Sequence, residues 1–475
     1  MLRCVLITFI GILPVVAIGQ EPTKYTTVPI SLHPASLPVP LSTMQLYPGY
    51  PELTPGNRVQ GLLKVFMEQD NFFKLVNSEE WHNELQLPLA EFKAKSKHRA
   101  IAGGIAYGDK YVKMMGYLDR GARMKSIEWN EYFELRSDGF YLLLPEVQKM
   151  RSLAAVLAMR MRNEIVTGEF YKASVSIQTM FGIAQALEQH PCLIGNLVGL
   201  SIANYAINGI EELIQQPGCP NLFWALCELP TPLLSPRMAI GGEKIFLTSQ
   251  FGRFLTTDRP LTDREIESFL NEMDELLKPE DQRGGVSSFI KSAKVRFALA
   301  VTDESRMRSR RDRLVHNGVN ADVVKAMPSM QIAIIDEFER YKVLRDEFFK
   351  AYLLPFHQAE PWLKKSDDES KKARTRGDII GPALLPAVWQ GKLAQARIDQ
   401  RVAHLRAIEA IRLHAHQNGG KLPATLAATG LPLAVDPFNG KNLSYEVMDE
   451  VATLAGEDTR QGEINNRKFS ITVVK

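Results

Sequence analysis

Residues 146–215 read EVQKMRSLAAVLAMRMRNEIVTGEFYKASVSIQTMFGIAQALEQHPCLIGNLVGLSIANYAINGIEELIQ. Leu153, Val156, Leu157, Met161 and Ile165 recur at steps of three, four and one, which is one apolar face of a helix. Gly168-Glu169-Phe170 reads as a tight turn, and Ala173, Ile177, Met180, Phe181 and Ala184 form the facing stripe. From Leu193 to Ile210 there is no charged residue, and Gly195 and Gly199 have the GxxxG spacing of closely packed helices. Asn196, Asn204 and Asn208 would be costly in lipid, and Glu211-Glu212 follow directly. The expected result is three successive helices, the third a buried central helix rather than a membrane span.

Helical periodicity extends in both directions. Val59, Leu62, Leu63, Phe66 and Phe73 make one stripe; Trp81, Leu85 and Leu89 continue on a second helix limited by Pro88. The stretch Ala100–Asp119 is small, apolar and glycine-containing, as in close helix packing, and Phe140–Leu144 is a short apolar run that suits a strand or a buried turn. Downstream, Gln216-Pro217-Gly218-Cys219-Pro220 is a sharp connector, and Pro220 suits the first turn of a helix through Leu229. Thr262 and Glu265 have capping-box spacing for a helix reaching Leu277. Ile335, Phe338, Tyr341, Leu344, Phe348 and Tyr352 form a long stripe ended by Pro355. Lys364–Arg376 is charged and reads as a connector, taken to span 364–392.

The C-terminal segment, 393–475, differs. Ala394, Ile398, Val402, Leu405, Ile408, Ile411 and Ala415 predict an amphipathic helix stopped by Asn418-Gly419-Gly420. An extended piece follows at Leu443–Val447, and Phe469, Ile471 and Val473 alternate as a final strand. The fold class expected is therefore mainly α: a helical bundle or repeat-like body over 58–363 with a small α+β C-terminal segment.

At the other end, Arg3, the apolar run to Ile12, Pro14 and Ala17-Ile18-Gly19 read as a signal peptide over 1–19 with Gln20 as the new N-terminus. Left uncleaved it would be a membrane anchor, but the apolar run is shorter than the roughly 20 residues a span needs. Residues 20–57 carry eight prolines from Pro22 to Pro55, a leader that favours extended chain lying against the body or spacing it from the envelope. Formal net charge is +3 over 475 residues, which gives no case for nucleic acid. Arg306, Arg308, Arg310, Arg311 and Arg313 are interleaved with Asp303, Glu304 and Asp312, the pattern of a solvated helix face. Once Cys4 is lost with the signal peptide, Cys192, Cys219 and Cys227 leave at least one thiol unpaired unless it bonds another chain; a Cys219–Cys227 bridge stays open.

Three resemblances follow from these residues. Gly168, Phe170 and Ala173 fall where a tetratricopeptide repeat places its turn glycine, aromatic and small residue, so about 150–190 resembles one such hairpin, with Glu164 and Met180 departing from the pattern. The order helix, glycine stop, Lys421-Leu422-Pro423, Asp436-Pro437-Phe438-Asn439-Gly440-Lys441, strand and a closing Lys468-Phe469-Ser470-Ile471 resembles the globular end of type II secretion pseudopilins, without the pilin N-terminus. Taken whole, with Pro55-Gly56-Asn57 and Gln215–Leu226, the chain resembles a family of uncharacterised secreted bacterial helical proteins. That resemblance implies export and brings no activity with it.

No zincin, Walker, dinucleotide or nucleophile-elbow motif is present, and the doublets Gly103-Gly104 and Gly241-Gly242 read as turns or packing contacts. His414 and His416 point to different helix faces; His190 before Pro191 suits a cap; His82, His98 and His357 stand apart. Asp336, Glu337 and Glu339, then Asp346 and Glu347, lie beside Arg340 and Arg345, the pattern of surface i,i+4 pairs. Asp436, Glu457, Asp458 and Glu463 show no calcium-ligand spacing, and the five tryptophans read as core anchors. Catalytic residues are thus unknown, and neither metal nor cofactor is expected. The leading expectation is an exported, periplasmic or extracellular, non-catalytic interaction or scaffold protein with a protein partner in the cell envelope. The alternatives are an exported hydrolase whose site is assembled only in the fold, and an accessory of a secretion or pilus-like system.

Overall fold

The computed structural model describes residues 25–68, 70–102, 108–129, 144–277, 292–459 and 466–474. The expected signal peptide, Gly103-Gly104, most of the Phe140–Leu144 run and Glu463 lie outside them. Helix predominates among the described residues, with a small sheet, so the fold is mainly α.

After β1 (Thr26–Leu32) and β2 (Thr54–Asn57), the first helices are α1 (Arg58–Glu68), α2 (Asp70–Val76), α3 (Glu79–Gln86), α4 (Leu89–Lys95), α5 (Arg99–Ala102) and α6 (Gly108–Ala122). β3 (Met124–Ser126) pairs in parallel with β2. The centre is α7 (Pro145–Val166), α8 (Phe170–Glu188) and α9 (Leu193–Leu213), which pack against one another. Gly168 makes the first of these turns with φ +77°. Its N–H donates to Ile165 O and the Glu169 N–H to Glu164 O, the Schellman arrangement that satisfies the last carbonyls of α7. α9 is long and apolar enough to cross a membrane, yet 72% of its most apolar window is buried in the fold. Its asparagines are served by protein: Asn196 donates to Ser235 O, and Asn204 and Asn208 accept from Arg401. Those contacts fit the buried central helix expected from sequence.

Then come α10 (Phe223–Cys227), α11 (Arg237–Phe251), α12 (Asp263–Leu277), α13 (Ala293–Ala300), α14 (Glu304–His316), α15 (Ala321–Ala326), α16 (Ser329–Tyr352), α17 (Phe356–Thr375), α18 (Gly381–Leu384) and α19 (Pro386–Gln417). The capping box at α12 is formed: Thr262 N–H donates to Glu265 and Glu265 N–H to Thr262 Oγ1. Pro220 lies before α10 rather than in its first turn, because Leu222 is the N-cap and the Asn221 side chain accepts the Phe223 N–H.

β4 (Ser444–Met448), β5 (Val451–Ala455) and β6 (Arg467–Val473) complete a four-stranded sheet in the order β1-β6-β5-β4. β4 and β5 form a hairpin whose central residues, Asp449 and Glu450, both have positive φ, as its tight turn requires. β1 runs parallel to β6 with Ile30 opposite Ile471. Ile30, Leu32, Ala452, Leu454, Phe469 and Ile471 are buried, and the His404 ring of α19 packs on Phe469.

Two expectations about segment boundaries are corrected, and of the two placements open for the proline-rich leader it takes the first: it lies against the body, supplying β1, with Met44 and Leu46 buried in the same core. The connector at 364–392 is largely helix, since α17 runs to Thr375. Leu363, Ser366, Ser370 and Ala373 give α17 a buried stripe of mostly small residues, and Lys364–Glu360, Lys371–Asp367 and Lys372–Glu369 stabilise its exposed face. The C-terminal helix accordingly begins at Pro386. One hydrophobic core runs from Ile30 to Ile471, so leader, body and tail share it.

Candidate functional site

The site is built where α14, α16 and α17 meet. Met307, Arg310 and Leu314 share the buried stripe of α14, so Arg310 occupies an inward position that an apolar residue would ordinarily hold. On α16 every residue from Gln331 to Phe338 is buried, including Asp336 and Glu337. At the end of α17, Gly377 takes φ +83°, and the Asp378 N–H donates to Ala373 O, which turns the chain and buries Asp378 against the other two helices.

These elements assemble a network of arginines around buried carboxylates. Asp336 meets three guanidiniums: Arg310 Nε at 3.1 Å, Arg313 Nε at 2.8 Å and Arg340 Nε at 3.1 Å. Arg310 is 2% exposed and also donates to Ala300 O at 2.8 Å. Arg340 pairs with Glu337 at 2.9 Å and with Asp378. Arg376 lies 3.6 Å from Asp378. Glu337 also accepts the N–H groups of Ile379 and Ile380. Burial holds the Glu337 carboxyl above its ordinary value, against Arg340 and those two donors, and burial lowers the Arg310 guanidinium.

Two readings are corrected here. Asp336 and Arg340 do form an i,i+4 pair, but Asp336 and Glu337 lie in the interior, not on a surface. Arg310 likewise leaves the solvated face assigned to the arginine run. The reason is packing: α14 crosses α16, so the network seals the junction between the main core and the smaller cluster of Met307, Leu314, Val324, Met327, Ile332 and Ile335.

Above the network lies an open pocket of about 360 Å³. Its lining includes Arg313, Arg340, Arg376, Asp336 and Asp378 of the network, with Val343, Leu344, Glu347 and Lys365. The volume falls within the range of ligand sites. Val343 is 68% exposed, and Trp362 (48% exposed) stands beside the lining residue Lys365, with the ammonium groups of Lys350 and Lys365 at 5.4 and 5.9 Å from its ring. Trp362 and Trp224 are thus partly exposed, whereas Trp81 is a core anchor donating to Ala155 O.

The histidines do not converge. His190 is buried, its Nδ1 accepts the Cys192 N–H at the start of α9, and burial pushes its pKa to about 4, which fits the cap role. His98 faces Glu84 at 2.9 Å, and His404 is buried in α19. Cys219 and Cys227 are free thiols, so they are not bridged to each other. Asp436 is buried and accepts from Gln400 and from the N–H groups of Phe438 and Glu457. Among the described residues no group of three or more His, Cys, Asp or Glu could hold a metal ion.

No protein-family model, curated protein or solved structure matches this chain.

Proposed function

We propose that the protein is an exported, non-catalytic interaction protein of the bacterial cell envelope, and that the groove between α14, α16 and α17 is its recognition surface. The observation that carries this reading is the construction of the groove: an open pocket over oriented ion pairs, with exposed Val343 in its lining and exposed Trp362 beside its lining residue Lys365. The floor is pre-organised, because Asp336 and Asp378 are buried and fix the arginines that reach the pocket, which lowers the ordering cost of binding. Export rests on the reading of residues 1–19 and is tested by the N-terminal mass of the protein recovered outside the cytoplasm, expected to begin at Gln20.

The interaction role is tested by recovering the tagged mature protein from crosslinked envelope fractions, beside a Val343→Arg variant. Val343 is exposed, so the variant keeps the fold. A stoichiometric protein partner held by the native chain and lost from the variant is the expected result. Recovery of the protein alone, or equal recovery of the partner by both, contradicts the proposal.

A further inference from the structure

We infer that the groove takes an extended acidic segment of a partner protein, with carboxylates of that segment meeting Arg313, Arg376 and Lys365. This rests on the interaction role proposed above and gives the partner its chemistry.

The carboxylates of the site are already committed. Asp336 serves three guanidiniums and Asp378 two. At the rim, Glu339, Glu347 and Glu369 each hold a lysine three residues on, at 2.7, 2.6 and 2.8 Å. Cationic donors remain. Arg313 directs Nε and one Nη at a single oxygen of Asp336, and its side chain is half-exposed. Arg376 is also half-exposed, and its ion contact with Asp378, the one it makes among the described residues, is 3.6 Å, too long for a hydrogen bond. Lys365 has no ion pair within 4 Å among the described residues and lies near the Trp362 ring. Guanidinium forks and an ammonium facing solvent suit carboxylates.

The spacing of these donors excludes one compact anion and suits an extended chain. Lys365 and Arg376 are eleven residues apart along α17 and its cap, about 16 Å at the helical rise. One compact anion cannot meet both. An extended peptide covers that distance in about five residues, and side chains along it can reach both donors. Exposed Val343 and Trp362 then offer contacts to apolar side chains between the acidic ones.

The test is fluorescence anisotropy of the full mature protein with a labelled extended peptide of alternating Glu and Leu. Its Gln-for-Glu counterpart and free tricarballylate serve as competitors. The variants are Lys365→Gln with Arg376→Gln, both exposed, checked for native helicity and melting temperature. The expected result is binding of the Glu peptide about tenfold tighter than either competitor, weakened by salt and lost about tenfold in the double variant. Equal binding of the Gln peptide or of tricarballylate, or an unchanged affinity in a folded double variant, overturns the inference. The two readings fail separately: a partner captured through position 343 with no preference for the Glu peptide removes the acidic chemistry and leaves the interaction role.

Discussion

Replacing Asp336 by Asn removes one negative charge from beneath three guanidiniums while keeping the shape of the side chain. Arg313 faces solvent and Arg340 keeps Glu337 and Asp378, so both tolerate the loss. Arg310 does not: it is 2% exposed and, among the described residues, retains only the Ala300 carbonyl and the Met307 sulfur. Stranding a buried charge costs about 3–5 kcal/mol, whereas replacing both partners by apolar residues of similar size is often close to neutral. Asp336→Asn should therefore lower stability by about 3 kcal/mol or more, and Arg310→Met with Asp336→Leu should recover most of it. Urea unfolding followed by far-UV circular dichroism measures both, with the slope against urea checking that the denatured state is unchanged. A loss below about 1 kcal/mol, or single effects that simply add in the double variant, would refute the view that this pair holds the pocket floor.

Three further outcomes follow from the packing. A Cβ added at Gly242 would lie 1.7 Å from Pro191 O, while one at Gly241 meets nothing within 4 Å. Gly242→Ala should cost about 1–3 kcal/mol and its neighbour Gly241→Ala should gain about 0.5–1 kcal/mol, with equal urea midpoints contradicting the contact. Gly168→Val should cost about 1–2 kcal/mol from its left-handed backbone; an unchanged melting temperature would remove the hairpin reading. Glu243 of α11 accepts the Leu193 N–H at the start of α9, and burial raises its carboxyl to about 7 from an ordinary 4.5. A raised carboxyl stabilises the fold below its unfolded pKa and loses that contribution as pH rises through the folded one. Native stability should thus fall between about pH 4.5 and 7 relative to Glu243→Gln, leaving the variant ahead by about 3 kcal/mol at pH 8. Parallel stability-versus-pH curves would contradict this.

The helices were legible where local chemistry decides them. Stripe, turn glycine and Schellman hydrogen bonds all sit within the Leu153–Ala184 sequence, and the capping box at Thr262 is a four-residue signal. β6 was visible in its alternation. Its partner β1 was not, because the pairing joins residues more than 400 positions apart and Pro29 argues against a strand. β1 tolerates that proline as an edge strand, where a missing N–H is least costly. α17 was missed because serine and alanine form its buried stripe, and small polar residues give no hydrophobic periodicity. The pocket was hidden for a related reason: Arg310, Asp336 and Glu337 read as surface charge. One signal was available, since Arg310 lies on the stripe of Met307 and Leu314 and Asp336 four residues after Ile332, both inward positions.

The central claim, that the groove is the working surface, is tested most directly by a photo-crosslinking amino acid at position 343 in the native envelope, compared with one at Met448. Met448 is also exposed but stands on the β4–β5 hairpin. A single discrete protein adduct from position 343 and none from 448 is the expected result. No adduct at 343, or the same adduct from both positions, would contradict it.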